Sequence, residues 1–512
     1  MAPNSKNQDN ADYTHLTSKD TQKYRSLSRR DSVEFLQPAF ASPLRKTSFN
    51  AATFNLVATI VGGGVLSLPL AFAKAGIVLG TFMMVFSAWI TEFGLYMLCS
   101  CARRTGARSY NEIVRHAFGA PAEILMTVTL WFFLSGVLVA FNVLLRGIFA
   151  PIARDILDPF EFVDTRGKHF DSVVLLVILV LVSPLMLKRN LYALRNICYV
   201  GFCSVCLIVL SIAFRAYQRN MEPAQDIIHG KSVHPQVLYF TTNVDDMIFA
   251  FPIIVLSFLC AYNVVEVQAN FKQPTLPRIR SVLRTSIAST FLLFEAFSLV
   301  GYFYAYNKCK GNIFLNFDPA DPIIMLGRIG MGITLMFGTP VVTLPCREAF
   351  LSIMPQVQKY FAESMEESNI CVDKAEGASL LQDVVSSTNH TYASVASFDV
   401  ECNEEYGEEF DVSGEVDNIP TLSETIIHVT STFVIGSSAF FAAVAAPGVA
   451  VVWSILGSSI AMIIGFIVPS ACYLKIRGSK GSARRTSAWA LLIFSTILAI
   501  VCTYQTIVDI MK

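Results

Sequence analysis

Eleven stretches of this chain are long and apolar enough to cross a membrane, and no other feature of the sequence restricts its fold so strongly. A helix needs roughly 20 mostly apolar residues to cross about 30 Å of hydrocarbon. Such stretches occupy 51–73, 77–100, 122–147, 170–187, 194–215, 246–270, 284–305, 322–346, 424–446, 449–474 and 486–509. "VVLLVILVLVSPLML" at 173–187 is apolar all round, whereas a surface helix of a soluble protein keeps a polar face. Composition agrees: 15% of the residues are charged and 53% hydrophobic, against about 25% charged in soluble domains. Lysines plus arginines and aspartates plus glutamates both number 39, so no basic excess suggests a nucleic-acid partner. The expected fold is all-α, a polytopic membrane protein of eleven transmembrane helices with the lipid bilayer as its solvent.

Residues 1–47 are polar and lack an apolar core, so they read as a disordered cytosolic tail rather than a cleaved signal. With that tail inside, it and the loops on its side hold 27 of the 39 lysines and arginines, as the positive-inside bias requires. Residues 48–350 then carry spans one to eight. Residues 351–423 form an acidic, serine-rich insertion without a helical apolar period, read as disordered and cytosolic. Residues 424–512 carry spans nine to eleven. The sequon at Asn389 falls in the insertion, and its glycosylation would overturn this topology.

Two spans are interrupted. "FNLVATIVGGGVLSLPLAFAKAG" places Gly62, Gly63 and Gly64 in mid-span with Pro69 beyond. Each interior glycine weakens a helix by up to about 1 kcal/mol against alanine. Membrane backbone unwinds only where it lines a cavity or is buried in protein. The amides of Gly63, Gly64 and Val65 would then open a half-helix whose positive end suits a carboxylate; close packing through small residues is the alternative. Span six carries Pro252 and then Cys260, Tyr262, Asn263 and Glu266. Interrupted helices five spans apart point to an inverted repeat with its site near the midplane, spans one to five matching six to ten.

These segments, with "SYNEIVRHAFG" at 109–119 and "TPVVTLPCREAF" at 339–350, resemble the amino acid/auxin permease family of the amino acid–polyamine–organocation superfamily. The resemblance implies a leucine-transporter-like 5+5 inverted repeat plus one extra helix, and secondary active transport of neutral amino acids by alternating access. By that likeness the substrate carboxylate meets Gly62, Gly63 and Gly64, flanked by Thr59 and Val65. The amino group lies at the sixth-span break around Phe258, Leu259 and Cys260. Tyr262 and Asn263 contact the substrate side chain or serve as helix-packing hydrogen bonders. Sodium-coupled relatives place an asparagine where this chain has Ala58 and a hydroxyl where it has Gly338. Carbonyls of Ala58 and Val61 and the nearby Thr334 and Thr339 remain as oxygen donors. The coupling ion is a proton or sodium, and the two losses favour the proton or uncoupled exchange. Glu92, Glu266 and Glu295 are the acids available to carry a proton, with interfacial or pairing roles as their alternatives. Arg328 reads as a snorkelling interfacial residue.

No metal-ligand spacing occurs among the twelve cysteines, and no cofactor is expected. The seven histidines fall in tails, loops or span ends, so no convergent catalytic set supports an enzyme. The rival reading is a nutrient sensor that signals through its tail and insertion. "EGASLL" at 376–381, "YTHL" at 13 and "YRSL" at 24 match signals read by sorting adaptors, and chance produces such matches as readily. They leave the plasma membrane or an endolysosomal or vacuolar membrane as the location. "RRDS" at 29–32 is a candidate phosphosite.

Overall fold

The computed structural model describes residues 45–158, 167, 169–188, 197–221, 227–228, 231–232, 237–318, 321–387, 422–477 and 483–511. The tail motifs, the sequon and most of the tail lie outside them. Among the described residues the chain is helical apart from a two-residue antiparallel pairing, Ile227–Ile228 with Lys231–Ser232, and an isolated bridge between Thr47 and Phe271. Nine helices among the described residues are long and apolar enough to cross a membrane, and a bent pair supplies a tenth. The seventeen-residue apolar helix Phe170–Met186 stands at the fourth expected span and is shorter than each of the other nine.

The first span consists of α1 (Phe49–Ile60), a 3₁₀ turn (Gly63–Ser67) and α2 (Leu68–Ala75), bent by 46° at the glycines. Ser48 opens α1 in extended geometry, its hydroxyl facing the Ala51 amide at 3.4 Å. Pro69 sits in the first turn of α2, where a missing N–H costs nothing. There follow α3 (Ile77–Thr105), the short amphipathic α4 (Tyr110–Phe118), α5 (Ala120–Leu157), α6 (Phe170–Met186) and α7 (Ile197–Met221). The sixth span is split into α8 (Val244–Ser257) and α9 (Ala261–Asn270). Next come α10 (Leu276–Ala305), α11 (Pro322–Ser387) and α12 (Leu422–Ala445). The tenth span runs from α13 (Val449–Ile455) through π-helical turns at Leu456–Ala461 and Ile463–Ile467 into α14 (Val468–Ile476). Helix α15 (Ala483–Met511) is last. The backbone of α11 stays helical to Ser387, past the boundary read at 350 and into a segment without a helical period.

Burial ranks the spans. The sixth has 78% of its apolar window buried against 22% for the last, so the broken helix is central and α15 peripheral. Helices α5 and α11 lie along each other, and α2 packs on α8 as α1 does on α9.

The ends of the two broken spans are tied in a mirrored way. On the face where α1 begins (the near face), the Thr47 amide donates to Asn270 O at 3.0 Å and the Lys272 amide to Thr47 O at 2.9 Å. On the far face, the Ile77 amide donates to Leu238 O at 3.0 Å, Val78 to Tyr239 O at 2.9 Å and Thr241 to Ala75 O at 3.0 Å. Chain entering one broken span is thus strapped to chain leaving the other. Gly76 permits the far strap: its φ is +84°, and any Cβ there would lie 2.8 Å from the Tyr239 carbonyl. Lys74 in the last turn of α2 pairs with Asp246 in the first turn of α8 at 2.9 Å, each charge opposing its helix dipole.

Candidate functional site

The two breaks meet in the middle of the molecule. α1 ends when Val61 turns out of helical geometry (ψ 86°) and Gly62 is fully extended. The Gly62 amide bonds Ile60 O and the Val65 amide bonds Gly62 O. Among the described residues, the amides of Gly63 and Gly64 have no backbone acceptor. A methyl added at Gly62 would meet nothing within 4 Å, so this backbone faces open space. At Gly63 it would lie 2.6 Å from Leu144 Cδ1, so that glycine serves close packing against α5. A methyl on Gly64 would lie 3.5 Å from Ser257 Oγ of α8. Close packing is thus seen at Gly63, while Gly62 faces open space.

The sixth span loses its helical ladder at Phe258, Leu259 and Cys260, six residues beyond Pro252, which stays within α8. Phe258 and Leu259 turn back onto Val255 O and Leu256 O. The Phe258 ring is fully buried against Phe294 of α10, 5.3 Å between centroids, and Cys260 and Val65 are equally buried.

Thr59 and Asn263 bridge the breaks. Asn263 Nδ2 donates to Thr59 Oγ1 at 2.7 Å, and the Thr59 hydroxyl donates to Asn55 O at 2.8 Å. Both residues are half-buried, as are Gly62 and Tyr262, whose ring stands 5.8 Å from that of Phe133. Asn55 and Glu266, one turn nearer the α1 end, are exposed. Ala58 is half-buried and Val61 buried beside the break.

The remaining expected ion residues are scattered. Gly338 faces Phe141: a methyl on it would lie 3.2 Å from one edge of that ring, while the opposite edge lies 3.6 Å from a methyl on Gly63. Thr339 and Thr334 donate to the carbonyls of Leu335 and Gly330 in their own helix, and Thr334 packs its methyl toward Gly201 of α7. Glu92 lies away from the breaks, 2.8 Å from Arg284 Nε and 3.6 Å from Arg280 Nε. Glu295 accepts from Thr81 Oγ1 at 2.5 Å between α3 and α10. Arg328 is buried at 3% exposure, donating to Phe314 O and Phe317 O, and does not snorkel.

Sequence reasoning missed Ser257, Phe133 and Phe141 as neighbours of the breaks, and Ser67, whose hydroxyl bonds Gly311 O at 2.6 Å and so holds the 306–318 segment over the far side. Ser257 carried a signal, a hydroxyl in an apolar helix immediately before the break. A separate cleft of about 780 Å³ between α5 and α6 is lined mostly by apolar side chains, among them Phe149, Ile152, Phe170 and Val177, with His169 beside them. Among the described residues no three metal-ligating side chains come together.

Residues 45–508 match the family described as transmembrane amino acid transporter protein. The chain belongs to that family. It is a multi-pass membrane protein, and its family is one of transporters rather than enzymes. A Rattus norvegicus protein provisionally named sodium-coupled neutral amino acid transporter 11 is 25% identical over 310 residues, 60% of this chain and 65% of its own length. The match thus spans just under two thirds of that relative. Vacuolar amino acid transporter 5 of Schizosaccharomyces pombe is 26% identical over 311 residues, 59% of this chain and 69% of its own. A solved sodium-coupled sialic acid symporter, substrate-bound and outward-open, aligns over 94% of this chain and 92% of its own at 14% identity with a TM-score of 0.46. At that score the likeness carries no argument.

Proposed function

We propose that the chain is a secondary active transporter of neutral amino acids, working by alternating access around the two breaks. The observation that carries this reading is the meeting of the breaks, with open backbone at Gly62, unpaired amides at Gly63 and Gly64, and the Thr59–Asn263 bridge beside them. Unpaired amides at the head of a half-helix suit a carboxylate, and the carbonyls of Phe258 and Leu259 suit an ammonium group, whereas Cys260 O already accepts from the Asn263 amide at 3.1 Å. The side chains nearest the opening are Thr59, Ser257, Tyr262, Asn263 and Phe133, none of them charged. A charged substrate side chain would find no opposite charge there, which favours neutral substrates.

The mirrored straps support a 5+5 inverted repeat, and eleven spans follow if α6 crosses. With the tail placed inside, the near face is cytosolic. Coupling by protons rather than sodium is favoured because Phe141 fills the gap between Gly63 and Gly338 with a ring, and a hard cation wants several oxygens. Glu92, already engaged by two arginines, is a weaker proton carrier than Glu295.

Uptake of labelled neutral amino acids into proteoliposomes, with sodium and pH gradients imposed separately, tests the proposal. Uptake that follows the pH gradient and ignores sodium supports it in full. Sodium-driven uptake would keep the transporter and discard proton coupling. Binding without uptake under either gradient would favour the sensor instead.

A further inference from the structure

The near strap contains a residue that the transport reading leaves unused. Arg45 is buried, at 4% exposure, ahead of α1. Its Nη1 reaches three backbone oxygens at the end of α9: Gln268 O at 2.9 Å, Ala269 O at 2.9 Å and Phe271 O at 3.3 Å. The last carbonyls of a helix have no partner of their own and form the negative end of its dipole. A guanidinium there satisfies several at once. Thr47 adds its two backbone bonds to Asn270 and Lys272.

At the other end of the same two half-helices stands the Thr59–Asn263 hydrogen bond. α1, twelve residues and about 18 Å long, is therefore fastened to α9 both at the hinge and at the near face. The hinges lie side by side, at 61–64 and 258–260. The turn after α9 is pinned in addition: Arg103 of α3 donates to Pro274 O, and Arg278 of α10 lies 2.9 Å from Gln273 Oε1 and stacks on Phe271 at 5.2 Å.

We infer that Arg45 is a positioning residue of the near-face gate, fastening α1 to α9 so that the two half-helices open as a single leaf. The inference rests on the transport reading above. If α1 swung away alone, the buried Arg45 would lose its bonds to three carbonyls, of which Gln268 O also accepts from the Phe271 amide at 3.3 Å, a large cost for a charge. A leaf that moves whole keeps every bond that Arg45 and Thr47 make to the end of α9.

The test is a disulfide between Thr47→Cys and Phe271→Cys, paired residues of the bridge, whose spacing in adjacent strands lies within disulfide reach. The full chain is reconstituted, oxidised or reduced, and uptake is compared. A single leaf predicts that the linked protein keeps its uptake within about twofold of the reduced form. Uptake abolished by oxidation and restored by dithiothreitol would overturn the inference, since α1 would then need to part from α9. Absence of uptake in the unmodified chain would instead count against the transport reading.

Arg45→Ala gives a second measurement, independent of whether the cysteine variant folds. Hydrogen exchange should rise together in 49–60 and 261–271, and uptake should fall about tenfold. Arg45→Lys, which keeps a cation with three donors, should restore most of both. Unchanged exchange in Arg45→Ala, or a rise in α1 alone, would also overturn the inference.

Discussion

Thr59 gives its hydroxyl proton to Asn55 O and receives one from Asn263, so a single oxygen links two helices 204 residues apart in sequence. Thr59→Val keeps the volume and removes both bonds. It strands the half-buried Asn263 amide, a cost of about 1–3 kcal/mol; a thermal-unfolding series should show the loss, and equilibrium binding should show weaker substrate affinity. Asp321 makes a different case. Burial raises its carboxyl, but the hydrogen bond from Arg215 at 2.6 Å and the amides of Ile323 and Ile324 outweigh this and leave it below its ordinary 3.8. Its contribution is therefore complete above pH 3.8 and is lost as pH falls through the lower folded value. Asp321→Asn should lower the unfolding temperature by the same amount at pH 7 and pH 5, which a melting series at the two pH values checks. Polar residues inside apolar stretches were legible as exceptions; their partners were not. Glu92 stood out as an acid in span two, yet the arginines that hold it lie about 190 residues on, at Arg280 and Arg284. No local pattern encodes such a pairing.

The three glycines of the first break were visible in the sequence because helix propensity is local, but their different duties depend on neighbours from α5 and α8. Gly62 has an extended backbone open to alanine and empty space before it. Gly62→Ala should fold with little change in melting temperature yet lose most of its uptake, because the methyl projects where substrate is placed. Gly63→Ala drives a methyl into Leu144 and should lose stability first, by about 1–3 kcal/mol as overpacking does. Size-exclusion and melting profiles beside uptake separate the two. The tenth span was legible as apolar but not as π-helical, since hydropathy does not encode helical pitch. Its π turns bring Gly457 against the Pro252 carbonyl and Gly465 to Leu259, where a Cβ would sit 3.2 Å from Cδ1. Tyr110 of α4 donates to Ile464 O at 2.7 Å within the same stretch. The wider winding thus fits the tenth span closely behind the sixth-span break, a common setting for π turns. The backbone of α11 is helical to Ser387, over residues 351–387 whose sequence shows no apolar period.

At the level of the whole molecule, sequence supported the fold class; against the eleven expected stretches stand nine long apolar helices and one bent pair among the described residues, and the family match over 45–508 agrees with the resemblance carried by four motifs. The mirrored straps had no trace in it, because main-chain hydrogen bonds between distant segments leave no side-chain signature. Deleting 1–44 and joining 387 to 422 leaves all of these contacts in place. Such a chain should keep uptake within about twofold of the full protein, as transport needs only the packed core; loss of uptake with binding retained would favour signalling through the removed segments. The straps also bear on how the protein is made. Arg45 and Gln268 are 223 residues apart, so at about 5–20 residues per second the ribosome takes on the order of ten to fifty seconds to supply the second after the first. During that interval the first span has left the ribosome with its broken middle and loose beginning unsupported. Assembly of the first half therefore waits on synthesis of the second, and cellular factors that shelter an unfinished helix would act in that window.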